Sequence, residues 1–238
     1  MTSAYSLLFA AGVLASLLWL AASGPARQRT AAIDAALAAL AGGLIIARAA
    51  YVGAHLSLYA ERPLEVLFFW QGGLSWAGGA AGAVAGLGLY AWATRQPLWP
   101  LADALALPAG LLALAGWAGC WAEACAYGRR AEAGWMTPSA ADLFGLVAPR
   151  WPTQALGVAC SLATVGLLAW LHGQRLPAGL LASLSLTLVA AAALAISFLR
   201  GDPVPGVFGL RLEAVGAGAV CAVSALVLGW RARRGGPE

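Results

Sequence analysis

Arginine is the residue of this chain whose chemistry and placement are most suggestive. Arg62, Arg129, Arg130, Arg150 and Arg200 fall between apolar runs and Arg48 and Arg211 within them, and a guanidinium fork grips a phosphate through two parallel hydrogen bonds. That pattern fits an anionic phospholipid headgroup. A competing reading is interfacial: long arginine stems lie along apolar surface while the charges pair with Glu61, Glu65, Glu123, Glu132 or Asp202. His55 lies in a loop, where a solvated or interfacial histidine is the ordinary reading. The pairs Gly72-Gly73 and Gly78-Gly79 flank Ser75 and Trp76. Glycines at a helix entrance leave backbone N–H groups open to an anion.

The elements that position these residues are membrane helices. Hydrophobic residues make up 61% of the chain and charged residues 10%, which excludes a soluble globular domain. All basic residues are arginine, with no lysine and no asparagine, so the net charge gives no support for nucleic-acid binding. The expected architecture is an all-α integral membrane protein. Its seven helices fall over about 4–23, 31–52, 72–94, 99–119, 153–171, 177–199 and 210–230. The first of these lacks a basic leader and reads as a retained span. Pro97, Pro100, Pro152 and Pro177 sit near helix starts, where a missing N–H costs little. Gly78, Gly82 and Gly86 recur every four residues and make a groove for close approach of another helix.

Loop charges set an expected orientation. Arg27, Arg29, Arg95, Arg175, Arg231, Arg233 and Arg234 fall on one side, which the positive-inside bias makes cytoplasmic. The N-terminus is then outside and the C-terminus inside, with Arg62, Arg129, Arg130, Arg150 and Arg200 on the outer side and His172 on the cytoplasmic one. Residues 120–152 are too polar to span and are expected to form an outer cap between helices 4 and 5, with a short interfacial helix. The whole, 1–238, is expected to be a single membrane domain. Trp117, Trp121, Trp135 and Trp151 bracket the cap, as rings at headgroup depth do. Arg48 and Asp103 lie within apolar runs, where each needs a partner, and they are candidates to pair with one another. Cys120, Cys125, Cys160 and Cys221 lack zinc-type pairing and read as small hydrophobes. No metal or cofactor is expected. The absence of an internal repeat argues against an inverted-repeat transporter.

The motif Gly72-Gly73-Leu74-Ser75-Trp76-Ala77-Gly78-Gly79 resembles the signature of the prolipoprotein diacylglyceryl transferases, bacterial enzymes of lipoprotein maturation. Further segments resemble the same family in the same order: Tyr5-Ser6-Leu7, Ala47 to Val52, Asp103 with Pro108, Gly116 to Arg129, Arg150-Trp151-Pro152-Thr153-Gln154, and Phe198 to Pro203. The resemblance implies a multi-pass protein of the bacterial inner membrane whose partners are phosphatidylglycerol and a lipobox-containing prolipoprotein. It implies transfer of diacylglyceryl to a cysteine thiol, with a cationic clamp for the leaving phosphate and a group for the thiol proton. Arg48, Arg129, Arg150 and Arg200 become candidates to bind the lipid phosphate. Ser75, Gly78, Gly79, Glu123, Tyr127 and Gln154 become candidates to contact headgroup or substrate.

The chain also departs from the family pattern. The family's histidine falls on Ala77, the arginine of its Gly-Arg signature on Trp117, and its asparagine on Cys120. Its Tyr-Glu pair becomes Leu156-Gly157, and an arginine and a glutamate become Ala193 and Ser197. Two functions stay open on this inventory: a divergent transferase with no assigned catalytic residue, or a catalytically silent member that binds phospholipid or scaffolds a partner.

Overall fold

A computed structural model describes residues 4–24, 26–207 and 209–234; the side chains of Arg27 and Gln71 lie outside the described set. Apolar runs wind into α1 (Ala4–Ala22) and α2 (Ala26–Ala54), followed by a short α3 (Leu56–Glu61) and 3₁₀ turns at 63–67 and 69–71. Then come α4 (Trp76–Thr94), α5 (Leu98–Ala104), α6 (Ala106–Ala122), α7 (Thr153–Leu171), α8 (Leu180–Ser197) and α9 (Leu212–Arg234). Two small antiparallel hairpins interrupt the helices: β1 (Ser139–Ala141) with β2 (Val147–Pro149), and β3 (Gly206–Val207) with β4 (Leu210–Arg211).

Among the described residues five helices, α1, α2, α7, α8 and α9, are long and apolar enough to cross a bilayer, and the bent pair α5–α6, taken as one span, brings the number to six. Leu18, Ile45 and Leu226 are among many large apolar side chains left exposed along them, as a lipid-facing surface requires. The glycine-rich α4 is 19 residues long but is not among those candidate spans. The chain is thus a mostly helical integral membrane protein.

The helices follow one another round a closed ring: α1 packs on α6, α6 on α7, α7 on α8, α8 on α9, α9 on α4, α4 on α2, and α2 back on α1. The short α5 touches α2, α4, α6 and α8, so it lies across one end of that ring. The β1–β2 hairpin lies at the other, hereafter the hairpin end.

The expected glycine groove is present. A Cβ on Gly82 would lie 2.2 Å from the Gly42 carbonyl oxygen, and one on Gly86 would lie 2.3 Å from that of Ala38. The α2 and α4 backbones therefore touch, which no larger residue would permit.

Several expectations change. The span expected over 99–119 is two helices meeting at 40° about Leu105. Pro108 has no N–H for the Ala104 carbonyl, so the ladder breaks there. The helix expected from 72 starts at Trp76, because the Ser75 hydroxyl accepts the Gly78 amide at 3.3 Å and caps it. No helix forms between 123 and 152 among the described residues; Gly134, Pro138, Gly145 and Pro149 suit turns and the hairpin instead.

Arg48 and Asp103 do not pair. Asp103 accepts the amides of Gly179 and Ala182, at 2.6 and 2.9 Å, and so caps α8 from outside its own chain segment. Cys120 and Cys125 form a disulfide rather than standing as separate hydrophobes. They need no shared helical face because α6 ends at Ala122, and left-handed backbone at Ala124 (φ 53°) and Ala126 (φ 52°) turns Cys125 back. Closing so short a loop restrains the unfolded chain by about 2 kcal/mol.

Candidate headgroup site at the hairpin end

Three chain segments join at the hairpin end through their backbones. Arg129 N–H donates to the Leu199 carbonyl at 2.8 Å, and Gly201 N–H to that of Tyr127 at 2.8 Å. On the other side Trp151 N–H donates to the Arg129 carbonyl at 3.2 Å, and Ala131 N–H to that of Pro149 at 3.1 Å. Gly128 thus pairs with Arg200, and Arg130 with Arg150. Gly128 is required here, since a Cβ would stand 2.0 Å from the Trp151 carbonyl oxygen. Neighbouring strands run about 4.8 Å apart, so this junction gathers Arg129, Arg150 and Arg200. Arg48 is held elsewhere.

The arginine side chains differ in what they meet. Arg150 is buried, with 3% of its surface exposed. Its Nη2 donates to Asp142 at 2.7 Å and its Nη1 to the Gly128 carbonyl at 3.3 Å, and the guanidinium lies 4.9 Å from the Tyr127 ring centre. Arg200 grips both oxygens of Asp202 and reaches Glu213 at 2.6 Å. Desolvation opposes that charge, but Asp202 and Glu213 outweigh it and hold the guanidinium pKa above its usual value. Arg211 joins the same cluster through Asp202 at 3.0 Å. Arg129 and Arg130 are exposed, and among the described residues neither has a carboxylate within ion-pair distance.

Asp142 is a residue of this junction that the sequence did not single out. Burial works against its carboxylate, yet the amides of Leu146 and Phe144, then the charges of Arg150 and Arg130, hold its pKa below the ordinary value. A lowered folded pKa contributes stability that is present above the unfolded value, about 3.9, and is lost as pH falls through the folded one. Protection of the Phe144 and Leu146 amides from hydrogen exchange, corrected for intrinsic rate, is therefore expected to collapse below about pH 4. In Asp142→Asn it should already be low at neutral pH.

Arg48 reaches four carbonyls through its guanidinium: Val66 at 2.9 Å, Gly72 at 2.7 Å, Gly73 at 3.0 Å and that of Glu65. Gly72 and Gly73 adopt φ of 91° and 71°, turning carbonyls toward the arginine. A Cβ on Gly73 would lie 2.7 Å from the Tyr51 ring. The Gly72 amide donates to Phe69, that of Ser75 to Ala47, and that of Gly79 to the Ser75 carbonyl. Gly78 is buried against Ala50 and Ile46.

Glu123 is exposed and accepts the Ala4 amide at 2.7 Å, linking the start of α1 to the end of α6. Gln154 donates to the Cys125 carbonyl at 2.9 Å, and Thr153 to that of Ala126 at 2.7 Å. The turn carrying Glu123 and Tyr127 is thereby fixed to α7. His55 stacks on Tyr51 and contacts its carbonyl at 2.9 Å. His172 packs edge-on to Trp19 at the end away from the hairpin. Among the described residues no three His, Cys, Asp or Glu side chains cluster as a metal set.

Two positions that depart from the family pattern prove to be neighbours. The Trp117 indole fills the space beside Gly157, where a Cβ would be 2.1 Å from the ring. Ala77 faces α9 so closely that a Cβ on Gly216 would be 2.6 Å from its own.

Fold and site together define a polytopic membrane protein with an arginine-bearing junction at one end of its helix ring. The description "Prolipoprotein diacylglyceryl transferase" matches residues 2–231. The chain belongs to that family. It is similar to the phosphatidylglycerol–prolipoprotein diacylglyceryl transferase of Symbiobacterium thermophilum, 28% identical over 184 residues, which cover 74% of this chain and 67% of the relative. It is also similar to that of Synechococcus elongatus, 36% identical over 103 residues covering 42% of this chain and 35% of the relative. For that of Bacillus cytotoxicus the figures are 36% over 111 residues, 45% of this chain and 40% of the relative. The chain thus matches about two thirds of the first of these relatives and well under half of the other two.

Proposed function

We propose that this chain transfers the diacylglyceryl group of phosphatidylglycerol to the cysteine thiol of a lipobox-bearing prolipoprotein. It acts as a seven-span protein of the bacterial inner membrane, with its hairpin end and N-terminus outside and residues 120–152 forming a cap on one membrane domain. The observation that carries this reading is the backbone junction that brings Arg129, Arg150 and Arg200 together. In the reaction the sulfur–carbon bond forms as the glycerol carbon–oxygen bond breaks. Glycerol-1-phosphate departs with the electron pair, and Glu123 takes the thiol proton. Arg129 and Arg130, open to solvent, receive the departing phosphate. Arg150 and Arg200 hold the backbone that presents them, with Tyr127 and Gln154 fixing the adjoining turn. Ser75, Gly78 and Gly79 shape the α4 entrance beside Arg48.

The test is transfer of labelled diacylglyceryl from phosphatidylglycerol to a lipobox peptide by the purified protein. Replacing Arg129 and Arg130 together with alanine is expected to lower the rate at least about 10²-fold without lowering the melting temperature. A second reading has its own support. Trp117 on Gly157, and Ala77 against Gly216, close space at positions where the family pattern carries polar groups. That favours a silent, phospholipid-binding member. No transfer by folded protein that still binds phosphatidylglycerol would establish it.

A further inference from the structure

The segment between α6 and α7 displays its largest apolar side chains to the outside. Trp135 is 92% exposed and Phe144 80%, with Leu143, Leu146, Val147 and Met136 also exposed. These side chains project from tied turns. The Asp142 carboxylate accepts the amides of Phe144 and Leu146 at 3.0 Å each, and Gly145, at φ 80°, donates to the Asp142 carbonyl at 2.9 Å. Behind that turn stands the buried Arg150–Asp142 pair. The other turn is closed by Thr137, whose amide donates to Gly134 at 3.1 Å and whose hydroxyl donates to the Glu132 carbonyl at 2.6 Å. Each turn is thus built to hold apolar groups outward.

Their surroundings indicate what covers them. Side chains this exposed line no groove, so a peptide finds no slot there, whereas a lipid layer needs none. The segment leaves the membrane helix α6 at Ala122 and re-enters at Thr153 of the adjacent α7, with exposed Trp121 at its root. Arg129 and Arg130 are exposed without an ion-pair partner among the described residues. Of the carboxylates on this segment, Asp142 is engaged by Arg150 and Glu123 accepts the Ala4 amide, while Glu132 is exposed. Aromatic and aliphatic tips beside basic side chains match an anionic bilayer surface, apolar groups reaching the acyl boundary and guanidiniums the phosphates.

We infer that the segment between α6 and α7 seats on the bilayer, its two turns dipping Trp135, Met136, Leu143 and Phe144 into an anionic lipid surface beside Arg129 and Arg130. This inference is independent of catalysis, and its test reads depth rather than transfer. The full chain, with Cys160→Ala and Cys221→Ala, is placed in nanodiscs of phosphatidylglycerol and phosphatidylcholine and labelled with an environment-sensitive dye at Phe144→Cys. Glu132→Cys is the water-exposed reference, and Trp135→Cys repeats the measurement on the second turn. Dye at 144 and 135 is expected to emit to the blue of dye at 132 and to be quenched by nitroxide on the lipid chains. Both effects should weaken in discs of phosphatidylcholine alone. Equal quenching of all three sites by aqueous iodide overturns the inference. So does shielding that appears only when a lipobox peptide is added, which would make the turns a peptide-docking surface. Equal depth in both lipids overturns the requirement for anionic lipid.

Discussion

Gly82→Leu is expected to lower the melting temperature by roughly 6–12 °C, or to leave no cooperative transition, because about 3 kcal/mol or more is lost. The reason is geometric. A side chain at 82 meets the Gly42 carbonyl at 2.2 Å and the Ile46 Cβ at 2.7 Å. A side chain at Gly42 would in turn meet the Gly82 carbonyl at 2.5 Å. Backbone atoms cannot rotate out of the way, so α2 and α4 must separate along their length. Gly88 lies on the same helix with nothing near its missing Cβ, and Gly88→Leu should melt within a degree or two of the parent. Thermal melting of both variants in detergent measures the contrast. Equal melting temperatures would show that the glycine groove is not what joins the two helices.

Arg48→Met should be nearly as damaging, by a different route. Its guanidinium satisfies carbonyls of Glu65, Val66, Gly72 and Gly73, and only 9% of the residue is exposed. Each buried carbonyl left without a donor costs about 1–3 kcal/mol, and partial access of water to the loop lowers the sum to about 3–5 kcal/mol. Arg48→Lys should recover only part of this, because an ammonium cannot span four acceptors set around a planar fork. Limited proteolysis between residues 62 and 75, alongside melting, tests it: cleavage should speed in Met and less in Lys. If Arg48→Met melts normally and loses only phosphatidylglycerol binding, the arginine is a headgroup ligand rather than a tie.

The sequence carried the helices well where one physical signal governed them. The expected and observed bounds of α7 coincide at 153–171, where Pro152 stops any earlier start. The four-residue spacing of Gly78, Gly82 and Gly86 also foretold a backbone contact, since small residues on one face have few other uses in lipid. The site was harder to read, because charge partners arise from folding and not from spacing. Asp142 lies eight residues before Arg150 on the other arm of a hairpin whose register depends on a turn built by Asp142 itself. Asp103 finds Gly179 from 76 residues away. The disulfide was not legible because Cys120 and Cys125 sit at the end of an apolar run, and only the left-handed turn after Ala122 brings them together. Gly72 and Gly73 were legible as special backbone, but not in sign: they aim carbonyls at a cation rather than amides at an anion.

The Trp117–Gly157 contact has a consequence for how this lineage can change. An indole occupying the volume of a missing side chain makes each residue's tolerance conditional on the other. Any substitution at 157 is blocked while Trp117 remains, and shrinking Trp117 alone opens a cavity beside a glycine that cannot fill it. Movement at either position therefore requires the two to be exchanged together. Homologous chains bred or designed from this one should hold the pair as a single heritable unit, and single-site libraries at either position should return almost nothing but the parent.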